Sequence, residues 1–198
     1  MNSTDREIKR LFDIGLSVVG IGLTWWLMLF AWFIASVETK SNGLFIQTRI
    51  GRRGKPFSVY KLKTMKPISG MKSTVTVSGD SRITKSGTLM RRYKIDELPQ
   101  LFNVLFGSMS FVGPRPDVPG FADKLRGEDR MILEIRPGIT GPASLKYRNE
   151  EELLAKQKDP ECYNKEIIWP DKVHINKIYM QEWSLKKDIE YILRTITG

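Results

Sequence analysis

One stretch limits the folds open to this chain more than any other. Ile14–Val37 is uncharged and almost wholly apolar over about 24 residues. A straight helix of that length can cross a bilayer, which takes about 20 residues. It is too long for the core of a cleaved signal, and no small-residue cleavage site stands out before the basic segment that follows. Arg6, Lys9 and Arg10 precede it; Lys40, Arg49, Arg52, Arg53, Lys55, Lys61 and Lys63 follow it. The positive-inside rule puts both flanks on the cytoplasmic side. A helix that dips into the bilayer and returns satisfies this, with Trp25–Trp26 at the turn. A spanning anchor is the alternative, because the run holds no proline and its glycines, Gly15, Gly20 and Gly22, come early.

The 198 residues carry a net charge of +10, which points to anionic partners: acidic lipid, a phosphorylated substrate or nucleic acid. Cys162 is the single cysteine, so no internal disulfide forms, and with His174 as the lone histidine a histidine-built metal site is nearly excluded. There is no phosphate-cradling Gly-rich loop of the G-x-x-x-x-G-K type and no G-x-G-x-x-G.

The densest chemistry lies in Tyr93–Pro116, YKIDELPQLFNVLFGSMSFVGPRP. Leu98, Leu101, Phe102, Leu105 and Phe106 recur with helical spacing, and Pro99 fits a first helical turn. Asp96 and Glu97 then read as an N-cap and a first-turn acid. Their other reading is chemical. Adjacent carboxylates sit too close for the glycosidase arrangement; they can share a divalent cation and leave one oxygen to attack phosphorus. Arg91, Arg92 and Lys94 flank them on one side and Arg115 on the other.

Elsewhere, Ser41–Met65 reads as a small β-hairpin turning at Arg49–Lys55, 66–82 as a Ser/Thr/Gly-rich mobile loop, and Ser86–Tyr93 as a short helix. Asp117–Phe121 reads as a turn, Ala122–Ile135 as a charged surface helix and Arg136–Pro142 as a shaped loop. Glu150–Lys158 has an acidic helix start. Asp159–Val173, with Pro160 and Pro170, reads as loop with little helix. Lys177–Ile196 closes the chain with regularly placed apolar residues.

The D-E-L-P-Q-L-x-N-V-L run, the G-x-M-S-x-V-G-P-R-P run and Arg136–Gly141 (R-P-G-I-T-G) together resemble the signature of the bacterial sugar transferases, the monotopic phosphoglycosyl transferases. Upstream, Gln47, Arg49, Gly51, Gly54, Phe57, Lys61, Thr64 and Met65 match the family pattern, as do Lys9, Arg10, Phe12 and Asp13 before it. Tyr179, Trp183, Ser184, Leu185 and Asp188 match it at the end. Asn176 stands where many relatives carry an aspartate, and Tyr147 replaces a glycine beside Arg148.

The resemblance implies a helix-rich α+β fold with a small β-hairpin. It implies a re-entrant membrane helix over 1–38 and a single catalytic domain over 39–198 on the cytoplasmic face of the bacterial inner membrane. It implies Mg²⁺-dependent transfer of a sugar-1-phosphate from a UDP-sugar to undecaprenyl phosphate, with UMP released, as the first membrane step of glycoconjugate synthesis. Asp96 would be the nucleophile and, with Glu97, would hold the metal. Arg115, Arg91, Lys61, Arg148 and Arg136 would contact phosphate or line the substrate site. Partners are then donor, lipid acceptor and bilayer, not nucleic acid, and a homodimer is allowed. Two other classes stay open: a membrane-anchored basic scaffold that binds anionic lipid or nucleic acid without catalysis, which composition alone allows, and a metal-dependent phosphohydrolase that needs no polyprenol.

Overall fold

The computed structural model describes residues 3–66 and 82–197; the loop expected over 66–82 falls outside them except at its ends. Helix α1, Ser3–Thr39, is continuous for 37 residues, about 55 Å at the usual rise. It passes unbroken through Trp25–Trp26. Around that point side chains bond the helix's own carbonyls: Thr24 Oγ1 donates to the Gly20 carbonyl (2.7 Å) and Trp26 Nε1 to that of Leu23 (3.0 Å).

One stripe of α1 is buried: Lys9, Asp13, Ser17, Met28, Ala31, Ala35 and Thr39. Their three- and four-residue spacing puts them on one face, and most are small or polar, which lets the helix approach other backbone closely. The opposite face presents Leu11, Val18, Leu23, Trp25, Trp26, Leu29, Phe30, Phe33 and Val37, all exposed. Both ends of the helix are tied to the same body. Near the start, Lys9 Nζ donates to Asp188 and Tyr179, Arg10 to the carbonyls of Val104 and Leu105, and the Asp13 carboxylate accepts from Ser110 and the Phe111 N–H. Near the finish, Ser86 donates to Glu38, and Ala31 packs with Leu62 and Met90.

The expected hairpin is present. β1 (Leu44–Ile50) pairs antiparallel with β2 (Pro56–Leu62), Leu44 opposite Leu62 and Ile50 opposite Pro56. A 3₁₀ turn, Arg52–Gly54, closes it, with Arg53 and Gly54 at positive φ (60° and 74°). α2 (Lys85–Arg92) begins at Thr84, whose side chain accepts from the Gly87 N–H, as N-cap threonines do.

The helix expected over Leu98–Phe106 is shorter and turned. Asp96 is not its N-cap: Lys94, at φ 56°, leads into a 3₁₀ turn, Ile95–Glu97, and α3 runs from Gln100 to Leu105. Its buried residues are Gln100, Leu101, Asn103 and Val104, while Phe106 is exposed and stacks on Phe102. The rotation follows from Asn103, which accepts from the Tyr60 N–H (3.0 Å) and donates to the Ser58 carbonyl (2.7 Å), docking α3 on β2 through a polar side chain.

A second pairing was not anticipated. β3 (Ser110–Val112) runs parallel to β4 (Gly138–Thr140). It requires glycine: a Cβ on Gly138 would stand 2.2 Å from the Gly113 nitrogen, so the Pro/Gly-rich loop is the far side of a close backbone approach.

Between them, the charged helix expected over Ala122–Ile135 is instead two 3₁₀ segments, Ala122–Lys124 and Gly127–Glu134. Gly127, at φ 57°, and Leu125, in extended backbone, interrupt it.

α4 (Pro142–Lys146) and α5 (Glu150–Ala155) follow. The region expected as loop, Asp159–Val173, is helical: α6 (Pro160–Tyr163), a π turn (Asn164–Ile168) and α7 (Trp169–Gln181). Both prolines stand in first turns, where no N–H is needed, and the Asp159 side chain caps α6 by accepting from the Cys162 N–H. α8 (Leu185–Thr197) ends the fold. The main core joins Ile50, Val112, Ile132, Leu133, Ile135, Val173, Tyr179 and Met180.

Candidate active site

The turn Ile95–Glu97 sets two carboxylates side by side, held between β2, α2 and the segment after β3. Asp96 is 8% exposed, and its Oδ1 is shut from solvent with no hydrogen-bond partner among the described residues. Burial first, and repulsion from Glu97 second, push its pKa up to about 6, against the pull of Lys61, Arg91 and Lys94.

Glu97 has the opposite surroundings. Its Oε1 accepts from Lys61 Nζ and from Arg115 Nη2, each at 2.8 Å. Burial alone would raise its pKa, but Arg115 and Lys61 together hold it far below the usual carboxylate range. Two adjacent acids thus differ in state: one ionised and doubly paired, the other poised between forms. Environments that separate two such pKa values mark division of labour in a site.

Three of the five expected phosphate contacts converge here. Lys61 arrives from β2, partly buried, with burial lowering its pKa against the pull of Glu97. Arg115 follows β3, nearly half exposed, and among the described residues it spends one donor, on Glu97. Arg91, in the last turn of α2, donates Nε to Thr64 Oγ1 (3.0 Å) and acts on Asp96 electrostatically.

The other two do not reach this cluster. Arg136 Nε donates to the Gly107 carbonyl (2.8 Å), and Arg136 lines a cavity of about 30 Å³ with Arg6, Lys9, Asp13, Arg52 and Ser110. Arg148 donates to the carbonyls of Arg194 and Thr195, at the end of α8.

Two neighbours were not named as site residues from the sequence. Asp117 is pushed up to about 6 by burial, opposed by Lys172, Arg49 and Arg115; its signal was its place directly after Pro116. Arg49 donates to the Pro116 carbonyl (3.2 Å) and to Gln47 Oε1 (2.7 and 3.0 Å), so the paired Gln47 and Arg49 of the upstream motif brace the loop that carries Arg115.

The arrangement can hold a phosphorylated ligand by charge-assisted bonds beside a desolvated carboxylate able to act as nucleophile. Among the described residues no group of three or more His, Cys, Asp or Glu could hold a metal. Asp96 and Glu97 alone still suit Mg²⁺, which takes one or two carboxylates and completes its shell with water and phosphate oxygens.

Comparison with known proteins agrees with this geometry. A "Putative undecaprenyl-phosphate N-acetylgalactosaminyl 1-phosphate transferase" of Bacillus subtilis (strain 168) is 40% identical over 122 residues, covering 61% of this chain and 68% of that protein. The "Uncharacterized sugar transferase EpsL" of the same organism is 33% identical over 189 residues, covering 96% of this chain and 85% of its own length. A "UDP-glucose:undecaprenyl-phosphate glucose-1-phosphate transferase" of Escherichia coli (strain K12) is 32% identical over 201 residues, covering 99% of this chain but 41% of that longer protein. The family profile described as "Bacterial sugar transferase" matches residues 4–198, and the chain belongs to that family.

Proposed function

We propose that the protein transfers a sugar-1-phosphate from a UDP-sugar to undecaprenyl phosphate through an aspartyl phosphosugar. One observation supports this most: Asp96, buried with an unpartnered Oδ1, lies beside a Glu97 that already gathers Lys61 and Arg115.

In the first half-reaction an ionised Asp96 oxygen attacks the sugar-side phosphorus. An O–P bond to Asp96 forms, and the bond to the bridging oxygen breaks. The electron pair leaves on that oxygen with UMP. In the second, an oxygen of the lipid phosphate attacks the same phosphorus, and the Asp96 carboxylate is released. Lys61, Arg115 and Arg91 neutralise the diphosphate and orient it for in-line attack. Mg²⁺ held by Asp96 and Glu97 would supply further neutralisation of the diphosphate and leaving group.

The acceptor stays in the bilayer, so the site must stand at its surface. The apolar face of α1 supplies the contact: the helix does not turn back at Trp25–Trp26, and both its ends are fixed to one body, which favours a monotopic helix seated in one face of the bilayer over a spanning anchor. The basic segments at both ends support a site on the cytoplasmic face of the inner membrane.

The test is UMP release by purified protein in nanodiscs, given a panel of UDP-sugars, undecaprenyl phosphate and Mg²⁺, beside Asp96→Asn. Lipid-dependent release abolished by the substitution is the expected result and identifies the sugar. Continued turnover without lipid, beyond the one UMP per enzyme that the first half-reaction frees, would make the protein a phosphohydrolase. Full activity of Asp96→Asn would remove the covalent step.

A further inference from the structure

Gln100 opens α3 and is 4% exposed, yet its Nε2 is enclosed with no acceptor among the described residues. A buried donor left unpaired carries its full desolvation cost, so such an atom calls for a reason. None of the roles assigned above uses it.

Its position supplies one. Leu98 (φ −54°, ψ −37°) and Pro99 (φ −61°, ψ −16°) join the turn Ile95–Glu97 to α3 in helical backbone. The backbone bonds along it run three residues on, from the Lys94 carbonyl to the Glu97 N–H, from Ile95 to Leu98, from Leu98 to Leu101 and from Pro99 to Phe102. Asp96 and Gln100 therefore stand little more than one turn apart. The stretch therefore buries one acceptor, Asp96 Oδ1, and one donor, Gln100 Nε2, a turn apart, without joining them. A group that bonds covalently to the first and offers oxygen to the second satisfies both, and a phosphoryl group has that form. The cations around it, Lys61, Arg91 and Arg115, select an anion over a neutral occupant.

We propose that Gln100 is a catalytic residue, its side-chain N–H donating to a non-bridging oxygen of the phosphoryl group during transfer to and from Asp96. The amide exchanges no proton; it is a preorganised neutral donor among cations that are partly spent on Glu97. The inference rests on the transferase reading given above.

The experiment compares Gln100→Leu, which keeps the bulk and removes the donor, with Gln100→Glu, which sets a carboxylate against phosphoryl oxygens. UMP release is measured in nanodiscs as kcat and KM for the donor, per folded enzyme from tryptophan-fluorescence melting, with Asp96→Asn in parallel. The expected result is kcat lower by about 100-fold in Gln100→Leu, the order seen for loss of one transition-state donor. KM should stay within about threefold, and Gln100→Glu should be slower still. A packing role alone would lower the folded fraction, not kcat per folded enzyme, and would spare the Leu variant more than the Glu variant in melting temperature. Unchanged kcat per folded enzyme in Gln100→Leu, with Asp96→Asn inactive, would overturn the role of Gln100. Activity retained in Asp96→Asn would overturn the transferase reading itself.

Discussion

At the scale of residues, Asp96 and Glu97 show how position within one turn separates two similar acids. Lys61 and Arg115 both converge on Glu97, and the neighbouring negative charge helps keep Asp96 near 6. Because attack needs the ionised form of a group whose pKa is raised, kcat should fall about tenfold per pH unit below about 6 and level off above it. A pH–rate profile of UMP release checks this. Glu97→Gln removes the like charge beside Asp96, so the acidic limb should move to lower pH. The plateau should drop by about 100-fold as Lys61 and Arg115 lose the negative charge that holds them together. The acids, Lys61 and Arg115 were legible because each lies inside a motif of fixed spacing, and Arg91 because it stands in the basic cluster that flanks the acids. The divergence of Arg136 and Arg148 was not. Whether a loop arginine meets the site or a nearby carbonyl depends on contacts such as Gly107 to Arg136, which join residues far apart in sequence.

At the scale of elements, the hairpin was readable because β-branched and aromatic residues lie on either side of the Gly51–Gly54 turn. The parallel pair β3–β4 was not, because each strand is three residues long, too short for a period to appear. Pro160 and Pro170 were misread as breakers. Proline ends a helix from within but starts one from its first turn; Pro160 follows the capping Asp159, and Pro170 enters α7 directly after the π turn. α3 is fixed to β2 by Asn103 rather than by its apolar pattern alone. Asn103→Ala leaves the Tyr60 N–H and the Ser58 carbonyl without that partner. It should cost about 2–3 kcal/mol, seen as a fall in melting temperature of the detergent-solubilised protein. Asn103→Leu, which also removes the paired groups' partner, should not restore it.

At the scale of the whole molecule, α1 belongs to the core on one side and faces outward with aromatics on the other. Lys9 is the strongest tie: its ammonium is buried against Asp188, which also accepts from Tyr179 and Trp183. Lys9→Met leaves a buried carboxylate without its cation and should destabilise by about 3–5 kcal/mol, with loss of folded protein on urea titration. Substituting aspartate for Leu29 and Phe33, both on the exposed face, should shift the protein from the membrane to the soluble fraction in cell fractionation while the melting temperature stays close to that of the parent. The apolar run was legible at once; its two-faced use was not, because Ala31, Ala35 and Ser17 read as membrane residues as readily as core ones.

That shared helix has a practical consequence for isolating the protein. A helix that crosses a bilayer is extracted inside a ring of detergent and can often be cut away to leave a soluble domain. Here the apolar surface is one-sided, so a surfactant has to form a patch against a single flank. Trimming the chain before Thr39 would strip Met28, Ala31 and Ala35 from the interior and leave Leu62 and Met90 facing water. Solubility is better sought by repainting the outer flank than by shortening the chain.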